Sequence, residues 1–140
     1  MSNVKAQSSN VEENVKAQSS NGKIYDLEER TARFGEDIIE FAKSLERNDI
    51  NRLLVNQIVR SATSIGANYM EADGAESRKD FHHKIALCKK EAKETKHWLR
   101  MIEKAIPQKG IDCRRLWVEA QELALIFSSI LLSRKSLNVK

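Results

Sequence analysis

The chain has 140 residues, of which 41% are hydrophobic and 31% charged, with a formal net charge of +4 at pH 7. This balance is ordinary for one soluble helical domain and falls well short of the charge density of a dedicated nucleic-acid-binding arm. No secretory signal is visible at the N-terminus, and no uninterrupted apolar run approaches ~20 residues, so we expect neither export nor a membrane span. Cys88 and Cys113 do not make a metal or disulfide framework, which predicts reduced thiols in a cytoplasmic protein.

Residues 1–22 differ from the rest of the chain. The octamer Asn-Val-Lys-Ala-Gln-Ser-Ser-Asn occurs at Asn3–Asn10 and again, unchanged, at Asn14–Asn21. A polar repeat without large apolar side chains cannot offset the entropy lost on ordering. We expect a disordered tail here, with a tether or short linear motif as the alternative, and a folded domain over residues 23–140.

Four helical segments follow the tail, because apolar residues recur at alternating steps of four and three. The pair Asn48-Asp49 offers a cap for the second helix and Ser77 a cap for the third, while Gly74 is suited to follow the second as its C′ residue and Pro107 to end the third. Short connections make neighbouring helices antiparallel. The pattern predicts an all-α fold, an antiparallel up-down-up-down four-helix bundle. The expected helices are about 26–47, 50–72, 77–106 and 112–135.

The buried stripe of the second helix contains polar residues, which need hydrogen-bond partners when they are packed. We expect the charged members to reach neighbouring helices and to specify one packing arrangement rather than to catalyse a reaction. This polar seam consists of Arg60, Ser61, Ser64, Asn68, Glu71 and, from the third helix, Glu91.

Five cations follow one side of the third helix at steps of four, three, four and four residues. Such a row can lie against phosphates, with each contact adding salt-dependent attraction. The alternative is a solvated helix face with intrahelical pairs such as Lys90 with Glu94. This basic stripe consists of Lys89, Lys93, Lys96, Arg100 and Lys104.

A second apolar flank lies beside the main stripe and includes both tryptophans. A bundle helix needs one apolar stripe, so a second stripe favours a subunit interface, although a wide core face would look the same. This tryptophan flank consists of Leu87, Trp98, Met101 and Trp117.

Residue patterns for chemistry are sparse. His82 and His83 are adjacent and point about 100° apart on a helix, so they cannot share a metal. Glu94 and His97 match the Glu-x-x-His pattern of di-iron bundles once, without a partner on a second helix. We therefore expect no catalytic residues, no metal, no cofactor and no small-molecule substrate.

The run Arg60-Ser-Ala-Thr-Ser-Ile-Gly-Ala-Asn-Tyr-Met-Glu71, followed by Ser77-Arg-Lys-Asp-Phe81, resembles the four-helix bundle proteins of the 23S rRNA intervening-sequence family. The resemblance covers roughly residues 24–135, with departures at Tyr69-Met70 and at the end of the second helix. It implies a ring-shaped homopentamer. A related branch is the accessory variability protein of diversity-generating retroelements, a basic pentamer that partners a reverse transcriptase and its RNA.

These observations favour a non-enzymatic, basic, oligomeric adaptor that associates with structured RNA, with a nucleic-acid enzyme such as a reverse transcriptase, or with both. The basic stripe would contact phosphates. The alternative is an oligomeric scaffold that binds proteins and not nucleic acid.

Overall fold

The computed structural model describes residues 26–139, with side chains described through residue 133. The expected tail at residues 1–22 lies outside this part of the chain. The described residues form four long α-helices and one 3₁₀ turn, with no strand among them, which confirms the all-α prediction. The elements are α1 (Leu27–Lys43), α2 (Asp49–Asp73), α3 (Arg78–Ala105), the 3₁₀ turn Pro107–Lys109, and α4 (Gly110–Val139).

Side-chain caps begin the second and third helices where the sequence predicts them. The Asn48 side chain accepts from the backbone N–H of Asn51 at 2.8 Å. The Ser77 hydroxyl accepts from the backbone N–H of Asp80 at 3.0 Å. Each cap satisfies one of the N–H groups that a helix start leaves without an intrahelical partner.

The helix ends differ in detail from expectation. Helix α1 ends at Lys43 rather than near residue 47. Gly74 caps α2 with a φ of −97°, so this position does not use the left-handed conformation for which a C′ glycine is favoured. The physical reason is that the Gly74 N–H stays hydrogen-bonded to Met70 and Ala72 carbonyls in a tight last turn.

The helices enclose one hydrophobic core built from the stripes that the periodicity identifies. Burial of each large side chain contributes about 1.5–3 kcal/mol relative to exposure. Tyr69, one of the departures from the family pattern, is fully buried in this core. The largest other fully buried residues are Leu27, Phe34, Ile38, Ile58, Ile65, Ile85, Leu99, Ile102, Leu123 and Phe127.

Helices that follow one another in the chain pack together, and α1 meets α4 through an ion pair. Arg30 Nε donates to Glu119 Oε2 at 2.7 Å, and Arg30 Nη2 donates to Glu122 Oε1 at 2.8 Å. The hydrogen bond to Glu119 raises the pKa of Arg30 further above its ordinary value. This half-buried contact fixes the first helix against the last.

Within the described residues, one segment, Pro107–Ser133, is long and apolar enough to cross a membrane by length and composition. Its mean hydropathy is 1.4 over the most apolar window. The sequence analysis did not anticipate it, because polar residues interrupt the run. Core helices of soluble proteins pass the same test, and this segment buries Leu116, Ala120 and Leu123 against the other helices.

Candidate nucleic-acid interface

The basic stripe lies along one side of α3, and at Lys96 it contacts α4. Lys93, Arg100 and Lys104 are exposed, whereas Lys89 and Lys96 are half-buried. The steps of three and four residues keep the five side chains on one side of a helix with 3.6 residues per turn. The stripe extends over sixteen residues of α3, and its first and last members are ~22 Å apart along the helix axis.

Carboxylates of α3 are turned away from the stripe and towards the neighbouring helices. Arg60 of α2 donates from Nη1 to Glu91 Oε1 at 3.4 Å, and its Nη2 also contacts Glu94. Near the C-terminal end of α3, Arg114 of α4 donates to Glu103. These acidic residues thus compensate arginines of α2 and α4 rather than the lysines of their own helix.

The positive charges of the stripe are consequently not neutralised by nearby carboxylates. Among the ion pairs of the described residues, none includes Lys89, Lys93, Arg100 or Lys104. The intrahelical pair expected between Lys90 and Glu94 does not form. Its physical reason is that Glu94 accepts from Arg60 and from the Trp98 indole instead.

Lys96 occupies a different environment from the rest of the stripe. Its ammonium donates to the side-chain oxygen of Gln121 and lies 4.9 Å from the centroid of the Trp117 ring. A cation above an aromatic face is attracted to it but keeps its charge. Lys96 therefore joins the middle of the stripe to α4.

The polar seam divides into one buried contact and several contacts at its rim. The Ser61 hydroxyl lies 2.8 Å from the Thr95 hydroxyl of α3, and both side chains are fully buried. Ser64 and Asn68 are half-buried and donate to backbone carbonyls of their own helix at 2.7 and 2.9 Å.

The charged members of the seam are at its edge. Glu71 is exposed and accepts from Lys84 of α3 at 2.6 Å. Arg60 is exposed and contacts Glu91 and Glu94, as described above. Both charged residues reach α3 rather than each other.

The tryptophan flank is split between two sides of α3. Leu87, Trp98 and Met101 are half-buried. The Trp98 indole N–H donates to Glu94 Oε2 at 2.9 Å, and its ring packs against the core. Trp117 is on α4, beside Lys96, and remains 39% exposed.

Four strongly exposed apolar residues of α4 were not among the interface residues predicted from the sequence. Ile111, Val118, Leu125 and Leu132 face away from the core. They escaped notice because the search for an interface stayed beside the main apolar stripe. Their signal was a seven-residue repeat, which is readable from the sequence alone.

The two cysteines are free, buried and not activated. Burial raises the pKa of Cys88 to about 12 and that of Cys113 to about 11. Both thiols are therefore protonated at neutral pH, and a protonated thiol is a poor nucleophile and metal ligand. The described residues contain no group of three or more His, Cys, Asp or Glu side chains suited to a metal ion.

The fold and this surface define a small all-helical protein with a cationic helix face. The chain belongs to the family of 23S rRNA-intervening sequence proteins, whose model matches residues 23–128. It is also similar to a crystal structure of a protein with unknown function from the S23 ribosomal protein family of Bacteroides thetaiotaomicron VPI-5482. The two share 30% sequence identity with a TM-score of 0.69, over 75% of this chain and 94% of that one. No curated protein matches the chain.

Proposed function

We propose that this protein is a basic, non-enzymatic, homo-oligomeric adaptor that binds structured RNA through the basic stripe of α3. The observation that carries the proposal is the placement of charge on this helix. Glu91, Glu94 and Glu103 pair with arginines of α2 and α4, so the outer cations have no carboxylate of their own helix to neutralise them. A row of uncompensated cations on a regular helix is suited to the phosphates of a nucleic acid.

The proposal includes an up-down-up-down arrangement of the helices. Contacts between α2 and α3 support it, since Arg60 meets Glu91 and Glu71 meets Lys84, so residue numbers rise on one helix as they fall on the other. The contact of Lys109 with Ser44 joins the end of α3 to the end of α1 and agrees with that order. In this arrangement the outer face of α3 stays accessible along its length.

The proposal also includes assembly into a homopentamer, supported by the resemblance to the family. Five copies of a +4 chain would carry about +20, and a field of that size concentrates nucleic acid near the surface. A reverse transcriptase with its RNA is a candidate partner, as for the accessory variability protein of diversity-generating retroelements. We place this activity in the cytoplasm.

A salt titration on a structured RNA tests the phosphate contacts. Five contacts predict that affinity falls about 10²- to 10³-fold between roughly 50 and 200 mM salt. The double variant Lys93→Glu/Arg100→Glu removes two contacts and is expected to lower the slope of log K against log salt by about two. The matched control is Arg33→Glu/Lys79→Glu, which makes the same charge change at exposed cations of α1 and α3 that lie outside the stripe.

An equal loss of RNA affinity in the two double variants would mean that only the net charge of the protein matters, and would overturn the assignment of RNA binding to α3.

A scaffold that binds proteins alone is the second candidate, favoured by the exposed apolar residues of α4. It predicts that the wild type is not retained on RNA even at low salt and that charge reversal leaves protein partners unchanged.

A further inference from the structure

The outer face of α4 exposes four apolar side chains in a straight row. Ile111, Val118, Leu125 and Leu132 are 77%, 52%, 58% and 68% exposed and follow one another every seven residues. Seven residues are close to two helical turns, so the row drifts by only about 20° per step. We call this row the apolar ridge. Polar side chains, including Arg114, Glu122 and Ser129, lie between the members of the row, so it is a line of separate apolar side chains at a regular spacing.

A second surface, between α1 and α2, has the opposite shape: it is concave, whereas the ridge on α4 is convex. Two adjoining clefts of about 380 and about 760 Å³ share Ile39 and follow the line between the two helices. Small residues, including Gly35, Gly66 and Ala67, line one of them, and the exposed Met70 forms part of its wall. We call this depression the α1–α2 groove. Its shape suits the ridge of a helix.

The ridge and the groove agree in length. The ridge covers twenty-two residues from Ile111 to Leu132, and its ends are ~31 Å apart along the helix. The groove follows α2 from Arg52 to Met70, or ~27 Å. One helix can therefore fill most of the groove.

Charged side chains border both surfaces. Arg114 and Arg115 flank the first turn of the ridge, and both side chains are mostly exposed. The smaller cleft of the groove is lined by acidic side chains, Glu28, Glu29 and Glu36, whereas the larger cleft is lined by charges of both signs. Opposite charges at the edge of an apolar contact fix its direction and register.

We propose that the apolar ridge of one copy docks into the α1–α2 groove of a second copy. This contact rests on the oligomeric assembly proposed above and names its two surfaces. Because ridge and groove belong to different helices, each copy uses its ridge with one neighbour and its groove with another. Such a contact is heterologous, and repeating it produces a ring or a filament.

Single variants test the contact by the mass of the protein in light scattering without RNA. Leu125→Glu on the ridge and Ala67→Glu in the groove each place a charge where apolar surface would be buried, and both are expected to abolish assembly. Leu53→Glu is the matched control, since Leu53 is 62% exposed and lies outside both surfaces. It is expected to keep the wild-type mass, and circular dichroism checks that all variants stay helical.

Mixing the two defective variants separates this contact from a symmetric pairing of two ridges. The Leu125→Glu copy keeps a wild-type groove, and the Ala67→Glu copy keeps a wild-type ridge. The mixture is expected to form dimers of twice 16.0 kDa and nothing larger, because one sound contact remains per pair. A mixture that stays monomeric, or an Ala67→Glu variant that assembles normally, overturns the proposal.

The remaining outcomes separate this inference from the proposed function. A wild type that is oligomeric but unaffected by Leu125→Glu overturns the docking contact and leaves the adaptor intact. A monomeric wild type overturns both the contact and the oligomeric part of the adaptor. If that monomer sediments with phosphatidylglycerol vesicles and Leu125→Glu prevents it, the ridge faces a membrane and not a second copy.

Discussion

Single side chains in this protein act mainly by joining helices. The buried contact between the Ser61 and Thr95 hydroxyls connects α2 to α3 inside the core, where an unsatisfied polar group is costly. Both hydroxyls also lie near carbonyls of their own helices, Ile58 for Ser61 and Glu91 for Thr95. The pair therefore fixes the register of the two helices, and each of its two buried hydroxyls has a hydrogen-bond partner.

Ser61→Ala and Thr95→Val are each expected to lower the free energy of unfolding by about 1–2 kcal/mol. The double variant should lose less than the sum, because each single change removes the same contact. Urea denaturation measures all three. Thr63→Ala is the control, since this exposed hydroxyl bonds only within its own helix, and its effect should be small. Strict additivity would show that the two hydroxyls are not coupled.

The buried thiols predict a loss of stability at alkaline pH. The pKa of Cys88 rises from 9.0 to about 12 because burial disfavours the thiolate. Below pH 9.0 the thiol is protonated in both states, so its contribution to stability is complete; above it the unfolded chain loses the proton first, and the contribution is lost as pH rises towards 12. Cys88→Ala should therefore lose less stability than the wild type between about pH 8 and about pH 10.5. Parallel pH profiles of the two proteins would contradict this account.

At the scale of the helices, the caps show where local sequence decides structure. Ser77 begins α3 in the position the sequence indicates, and its contact with the Asp80 N–H is made entirely within one turn. Ser77→Ala should destabilise the protein by about 1 kcal/mol, whereas Ser77→Asp retains a capping oxygen and should be near neutral. Thermal or urea unfolding measures both. Equal losses for the two changes would mean that the serine acts through some other contact.

The features that could be predicted from the sequence are those set by residues within two helical turns of one another, namely the caps and the core stripes. Periodicity identified a core stripe in each of the four helices, and most stripe residues from Leu27 to Ile130 are buried, whereas Leu54, Asn68 and Ile106 are half-buried. The apolar residues on the outer face of α4 were not predicted, because the expected second apolar surface was the tryptophan flank beside the main stripe. Ile111 and Leu132 lie on the opposite side of α4, and the structure shows that both are exposed.

Contacts between residues far apart in the chain also could not be predicted from the sequence. Arg30 and Glu119 are 89 residues apart, and no local pattern pairs them. The same holds for Lys96, whose position in a row of cations gave no sign that it reaches Gln121 and Trp117. The charge of the stripe was readable, but its freedom from carboxylates depends on where Arg60 and Arg114 come to lie.

At the scale of the whole molecule, the contact of Arg30 with Glu119 and Glu122 holds α1 against α4. Arg30→Met leaves a half-buried carboxylate without its cation and should cost about 1.5–3 kcal/mol. Arg33→Met is the control, because its pair with Glu29 is solvent-exposed and such pairs contribute little. Hydrogen exchange should show faster opening of α1 in the first variant and not in the second. Unchanged exchange in Arg30→Met would mean that apolar packing alone fixes α1.

If an oligomer of this protein presents its basic stripes to RNA, the native mass in solution must depend on RNA and on salt. Light scattering on a sizing column would be run with and without a structured RNA, at low and at high salt. The account predicts a mass several times 16.0 kDa that increases with RNA at low salt and returns to the protein-only value at high salt. A protein of 16.0 kDa whose mass RNA does not change would contradict it.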